Sequence, residues 1–202
     1  MPKIETAKFM GEIVPGVFHF SIDDGIDYRR DCYLIVQRDK TILIDPLLIG
    51  DKLDDFPPVK AIYLTASCHQ RSAWEYRRLL KVPVYAPNGK NFKGKPNYLL
   101  KDNEKLPGGL IAIHAPGPTN AHYAYYLKHG GGVIFCADLL TNVDDDLEFV
   151  ESEYQDEPAR TRESVRHLLD FNFKTLCFNH GNPITHGAKK TILKILKEDK
   201  EF

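Results

Sequence analysis

What most constrains this chain is a succession of short apolar runs, strand-like in length and rich in β-branched and aromatic residues, each cut off by Gly, Pro or Asp. Gly16 to Ile22, Cys32 to Arg38 and Lys40 to Ile44 follow one another, and Arg38, Asp39 and Lys40 read as a tight hairpin turn between the last two. Lys60 to Thr65 is a further strand that leads into Ala66-Ser67-Cys68-His69-Gln70-Arg71 and then into a helix over Ser72 to Leu80. In that helix Ser72 stands where it can cap, Glu75 three residues on completes a capping box, and Trp74, Leu79 and Leu80 form an apolar side. The unit is strand, loop, helix, with the loop at the C-terminal end of the strand.

Val82 to Ala86 returns as a strand, and Asn88 to Pro107 is a polar connection containing Gly and Pro. Leu110 to His114, His122 to Lys128 and Gly132 to Ala137 are strands again, with His129 to Gly132 turning between the last two. Thr161 to Phe171 has helical periodicity, Thr175 to Phe178 is a short strand, and Ala188 to Leu196 is a helix running into a charged tail. Strands lead and a helix closes in each half, so a mixed α/β (α+β) sandwich of sheets flanked by helices is the simplest way to bury these runs.

A chain of 202 residues is expected to form a single domain over 1–202, since domains commonly run about 50–250 residues. Its 27 basic and 28 acidic side chains give a net charge of −1, too balanced to draw in nucleic acid or an anionic membrane. Cys32, Cys68, Cys136 and Cys177 lie far apart and read as reduced thiols, which points to the cytoplasm. Met1 to Glu12 interleaves Lys3, Glu5, Lys8 and Glu12 with its apolar residues, unlike a signal peptide, and no stretch approaches the roughly 18 apolar residues of a membrane span.

Five landmarks then occur in order: Leu43-Ile44-Asp45-Pro46 ending a strand; Ile62-Tyr63-Leu64-Thr65 opening the loop; Val82-Pro83-Val84-Tyr85-Ala86-Pro87 after the helix; Phe135-Cys136-Ala137-Asp138 ending a strand; and Asn179-His180-Gly181-Asn182-Pro183-Ile184 near the end. Over roughly Glu12 to His186 this order resembles the metallo-β-lactamase superfamily, including its glyoxalase II-like hydrolases. The resemblance implies a four-layer αββα sandwich and a hydrolase ancestry. It also implies a metal-binding motif, His-x-His-x-Asp-His, whose slots here hold Ala66, Cys68, Gln70 and Arg71. The further histidine of a Pro-Gly-His-Thr turn is Pro118 here, followed by Thr119 and Asn120. Asp138, in the slot of the metal-bridging carboxylate, and His180, in the slot of the last histidine, alone keep ligand chemistry of that type and are the weak metal candidates.

A catalytic zinc takes three protein ligands plus water, and neither metal of the pair reaches three from these slots. Arg71 adds a permanent positive charge where a neutral imidazole belongs, and is expected to pair with Asp138 in place of a metal. Asp45 is expected to support the loop from behind. His69 occupies a spacer position and is expected to point outward, while Cys68 beside it presents the minimal pairing for a nucleophilic thiol and a base. His114 and His122 flank the turn and are candidate substitute ligands, and Asp144-Asp145-Asp146 reads as a solvated turn rather than a calcium loop.

These residues leave three functions open. The first is a pseudoenzyme without metal, its cavity lined by Asp45, Ala66, Cys68, Gln70, Arg71, Pro118, Asn120, Asp138 and His180, binding a small anionic ligand or a protein partner. The second is a hydrolase of ester, thioester or amide bonds with one zinc or iron ion on Asp138 and His180, completed by Cys68, His114 or His122. The third is a metal-free hydrolase with Cys68 as nucleophile. Substrate and oligomeric state leave no signature.

Overall fold

The computed structural model describes residues 5–23 and 29–199. Lys3 of the N-terminal segment and the end of the charged tail at 200–202 therefore lie outside the described residues. The chain divides into two compact units, Met1–Leu100 and Lys101–Phe202.

The first unit is built on a seven-stranded sheet whose strands lie side by side in chain order. Strands β1 (Lys8–Val14), β2 (Val17–Ile22), β3 (Arg30–Gln37) and β4 (Lys40–Ile44) form an antiparallel meander. From β4 onward, β5 (Val59–Tyr63), β6 (Val84–Ala86) and β7 (Tyr98–Leu99) are added in parallel. Two-residue turns join β1 to β2 and β3 to β4. The parallel step from β5 to β6 needs a crossover, which helix α1 (Ala73–Leu80) supplies. The core gathers on the sheet face that α1 covers: Phe20, Leu34, Leu43, Ile62, Leu64 and Val84 pack with Ala73 and Tyr76 of the helix. Tyr76 is tied in further, since the Ile49 N–H donates to its phenolic oxygen at 2.8 Å and burial pushes its pKa up to about 12.

The second unit carries a four-stranded sheet in the order β13-β10-β9-β8. Strands β8 (Leu110–His114), β9 (Tyr123–Leu127) and β10 (Val133–Ala137) pair antiparallel, and β13 (Thr175–Phe178) joins β10 in parallel. A separate hairpin of β11 (Leu140–Val143) and β12 (Asp146–Phe149) turns through Asp144 and Asp145, both with positive φ (53° and 62°). The three-aspartate run is thus a solvent-facing two-residue turn, a conformation short polar side chains tolerate. Helices α2 (Pro158–Leu168) and α3 (Ala188–Glu198) place Val165, Leu168, Ala188 and Ile192 into a core with Ile113, Ile134, Leu176 and Phe178.

The strands and helices expected from periodicity are found, with boundaries moved by one to a few residues. One local expectation fails: Ser72 sits at the N-cap of α1, yet its hydroxyl makes no capping bond. The preceding turn of 3-10 helix at Ser67–Gln70 leaves Ser72 at φ −89°, ψ 8°, outside the extended geometry that aims a capping side chain at the first free amides. Among the described residues no helix is long and apolar enough to cross a membrane. Leu34 is fully buried in β3, so Leu34→Ala is expected to lower the free energy of unfolding by about 2–5 kcal/mol in a urea titration.

Candidate functional site

In the first unit the motif loop is organised by one carboxylate. Asp45 closes β4 in the left-handed region (φ 48°), fully buried, and its backbone N–H donates to the Tyr63 carbonyl at 3.0 Å, which binds the ends of β4 and β5 together. Its Oδ1 accepts the Thr65 N–H at 2.9 Å and its Oδ2 accepts the Thr65 hydroxyl at 2.6 Å. The same hydroxyl lies 2.7 Å from Nδ1 of His69.

These contacts fix a proton. A carboxylate can only accept, so the single hydroxyl proton of Thr65 goes to Asp45, and the hydroxyl oxygen must accept the third member's hydrogen. His69 therefore carries a proton on Nδ1, and in the neutral ring the lone pair falls to Nε2. His69 is 4% exposed, so the expectation that it points outward is corrected: the 3-10 turn swings this spacer position inward against Thr65. In the sequence this is hidden, because a spacer position carries no ligand signature of its own. The signal was the pairing of a strand-terminal Asp with a Thr that opens a histidine-bearing loop.

Ala66, Gln70 and Arg71 take structural parts in the loop. Ala66 is buried, and its carbonyl accepts the His69 N–H at 3.2 Å. Gln70 is saturated: Nε2 donates to the carbonyls of Ser67 (2.9 Å) and Asn91 (3.0 Å), while Oε1 accepts from the Trp74 indole (2.6 Å) and the Lys93 amide (2.7 Å). Arg71, with φ 32° and ψ −113°, donates through Nη1 to the carbonyls of Asp31 at 2.6 Å and Asp45 at 3.1 Å. The guanidinium expected to serve Asp138 is instead a clamp on the ends of β3 and β4. Asp31 is itself fixed by His19 at 2.6 Å and Arg29 at 3.1 Å. Cys68 is exposed, and its Sγ lies within 4.8 Å of a ring nitrogen of His69.

In the second unit Asp138 follows Ala137, whose φ is 51°, and its Oδ1 stands 3.5 Å from Nε2 of His180. The Asp138 N–H donates to Nε2 of His122 at 3.3 Å, and Nδ1 of His122 donates to the Ala115 carbonyl at 2.8 Å. Both nitrogens of this buried ring are taken, so His122 is a neutral brace behind Asp138 and not a substitute ligand. His114 donates through Nε2 to the Asn120 carbonyl at 2.8 Å and so pins the turn. Asn120 is exposed and accepts from Arg160 at 3.4 Å.

Two glycines set the loop shapes. Gly117 (φ 139°) lies so close to α2 that an added Cβ would stand 2.2 Å from the Thr161 hydroxyl, and the Pro118 carbonyl beside it accepts the Asp156 N–H at 3.1 Å. Gly181 (φ 122°) lets β11 approach so closely that a Cβ would meet the Asn142 carbonyl oxygen at 2.1 Å. Asn142 clamps the flanking residues, donating its N–H to the His180 carbonyl (3.0 Å) and its amide to the Asn182 carbonyl (2.7 Å).

No family profile and no curated protein matches the sequence. Solved structures do. A metallo-β-lactamase from Erythrobacter litoralis, with β-mercaptoethanol in its active site, matches with a TM-score of 0.76 at 16% identity, covering 98% of this chain and 99% of that one. The metallo-β-lactamase FIM-1 from Pseudomonas aeruginosa in its mono-zinc form gives 0.76 at 14% identity, covering 98% and 97%. An archaeal metallo-β-lactamase superfamily protein from Sulfolobus tokodaii gives 0.69 at 16% identity, covering 85% and 81%.

This chain has the metallo-β-lactamase fold. The expected fold class is therefore found. Of the residues at the expected ligand positions, Ala66 and Pro118 offer no donor, Arg71 is a permanent cation, and Gln70 has every hydrogen-bonding position in use, whereas Cys68, Asp138 and His180 keep side chains able to bind a metal ion.

Thr65→Val is expected to remove the hydroxyl that links the Asp45 carboxylate to Nδ1 of His69. It should destabilise the protein by about 1–3 kcal/mol in chemical denaturation and shift the His69 Nδ1 proton signal in NMR. Gly181→Ala is expected to cost at least as much and to perturb the imidazole resonances of His180 specifically.

Proposed function

We propose that this protein is a metallo-β-lactamase-fold pseudoenzyme with respect to metallohydrolysis, binding a small anionic ligand without a metal centre. The observation that carries the reading is Gln70. The slot that supplies a metal-binding carboxylate in the resembling family holds an amide whose two donors and two acceptor positions are all engaged by its own loop, by Trp74 and by Lys93. Such a group has no lone pair left for an ion, and withdrawing it would dismantle the loop. Arg71 supports the anionic preference. Its partners Asp31 O and Asp45 O are neutral carbonyls, which satisfy hydrogen bonds without cancelling the charge.

Elemental analysis of protein produced with zinc and iron supplements tests this. The expected result is well under one tightly held ion per chain, with a melting temperature that EDTA does not lower. One ion per chain whose removal lowers the melting temperature would favour the single-metal hydrolase on Asp138 and His180, and two ions would overturn the reading entirely. Phosphate, sulfate and small carboxylates are expected to raise the melting temperature, and Arg71→Gln to abolish that rise.

A further inference from the structure

We infer that Cys68 is a nucleophilic thiol served by His69 as general base, and that carbonyl electrophiles of the ester or thioester class acylate it. The inference rests on the metal-free reading, because a bound ion would claim the same thiolate.

Three of the four cysteines are buried, and burial pushes the thiol of Cys32 up to about 12 and that of Cys136 higher still. Neither yields a thiolate near neutrality. Cys68 alone is exposed, and its neighbour is no ordinary surface histidine. The ring of His69 is buried, its proton is held on Nδ1 by Thr65 at 2.7 Å, and Thr65 is held by the Asp45 carboxylate at 2.6 Å. In the neutral ring that chain leaves Nε2 as the nitrogen able to accept a proton, and it supplies a carboxylate behind the ring to steady the imidazolium. Thiol and ring lie within 4.8 Å on consecutive residues of a rigid 3-10 turn. Nucleophile, base, and a third group orienting the base are the parts such catalysis needs. The orienting group acts here through a hydroxyl.

The chemistry balances with substrate and water alone. His69 Nε2 takes the thiol proton as sulfur forms a bond to the carbonyl carbon. The alkoxide or thiolate leaving group departs with the bonding pair and receives that proton. A water molecule, deprotonated by His69, then attacks the acyl-thioester. The C–O bond forms, the C–S bond breaks, and sulfur recovers the proton. The net reaction is ester plus water to acid plus alcohol.

The test uses full-length protein dialysed against chelator, with p-nitrophenyl acetate as probe. The expected result is release of about one equivalent of p-nitrophenol in a fast phase, an acetyl group on the peptide containing Cys68, and loss of both in Cys68→Ala. His69→Gln is expected to slow acetylation on the order of 10²–10⁴-fold, the usual contribution of a positioned base. Acetylation at other residues, or equal rates in wild type and H69Q, would overturn the inference. Should H69Q fail to fold, a wild-type acylation rate no greater than that of N-acetylcysteine amide at the same pH overturns it, and a rate more than about tenfold greater supports it. Metal analysis of the same preparation before chelation separates the two proposals. Tightly bound zinc with a reactive thiol after stripping refutes only the metal-free reading, whereas metal-free protein with an inert thiol refutes only this one.

Discussion

The buried carboxylate of Asp45 is the constraint on which the motif loop depends. A full charge with no exposure is tolerable only when its oxygens are hydrogen-bonded, and here a backbone amide and a hydroxyl from one residue, Thr65, take both oxygens. Because Thr65 has a single hydroxyl proton, that arrangement also dictates the tautomer of a histidine four residues on. Sheet register, loop entry and imidazole chemistry are thereby coupled: β4 and β5 must be in parallel register for Asp45 to reach Thr65, and only then does His69 turn inward.

Backbone strain marks the same places. Asp45, Arg71 and Ala137 are non-glycine residues at φ 48°, 32° and 51°. Such conformations cost of order 1–3 kcal/mol each and persist where surrounding contacts over-determine them. The contacts are visible: carbonyls gripped by Arg71, an amide of Asp45 on β5, and a histidine brace under Asp138. The motif loop is held in shape by directional hydrogen bonds, with Gln70 meeting two donors and two acceptors and Arg71 two carbonyls.

Much of the fold was legible in the sequence, because continuous apolar runs mark strands buried on both faces and the helical spacing of Val165 and Leu168 marks a helix buried on one. β1 was missed, since as an edge strand it is largely exposed and its apolar residues Phe9, Met10, Ile13 and Val14 are interrupted by Gly11 and Glu12 and do not alternate. The β11–β12 hairpin was missed because its two-residue turn is made by aspartates rather than the glycine that usually announces one. Of the site, the absence of a side-chain ligand at Ala66, Arg71 and Pro118 could be read directly, since residue type alone decides whether a lone pair exists.

What the sequence by itself determined was the inventory: which donors, charges and thiols are available, and that the order of landmarks suits a sandwich of sheets. Only the tertiary structure decided what each group faces. It gave Arg71 to the carbonyls of Asp31 and Asp45, placed both nitrogens of His122 in use, and turned His69 from a spacer into the inward member of a relay. The reason is physical. A side chain's partners are fixed by strand register and by a few positive-φ residues, and these emerge from packing across the sheet rather than from the local run of residues.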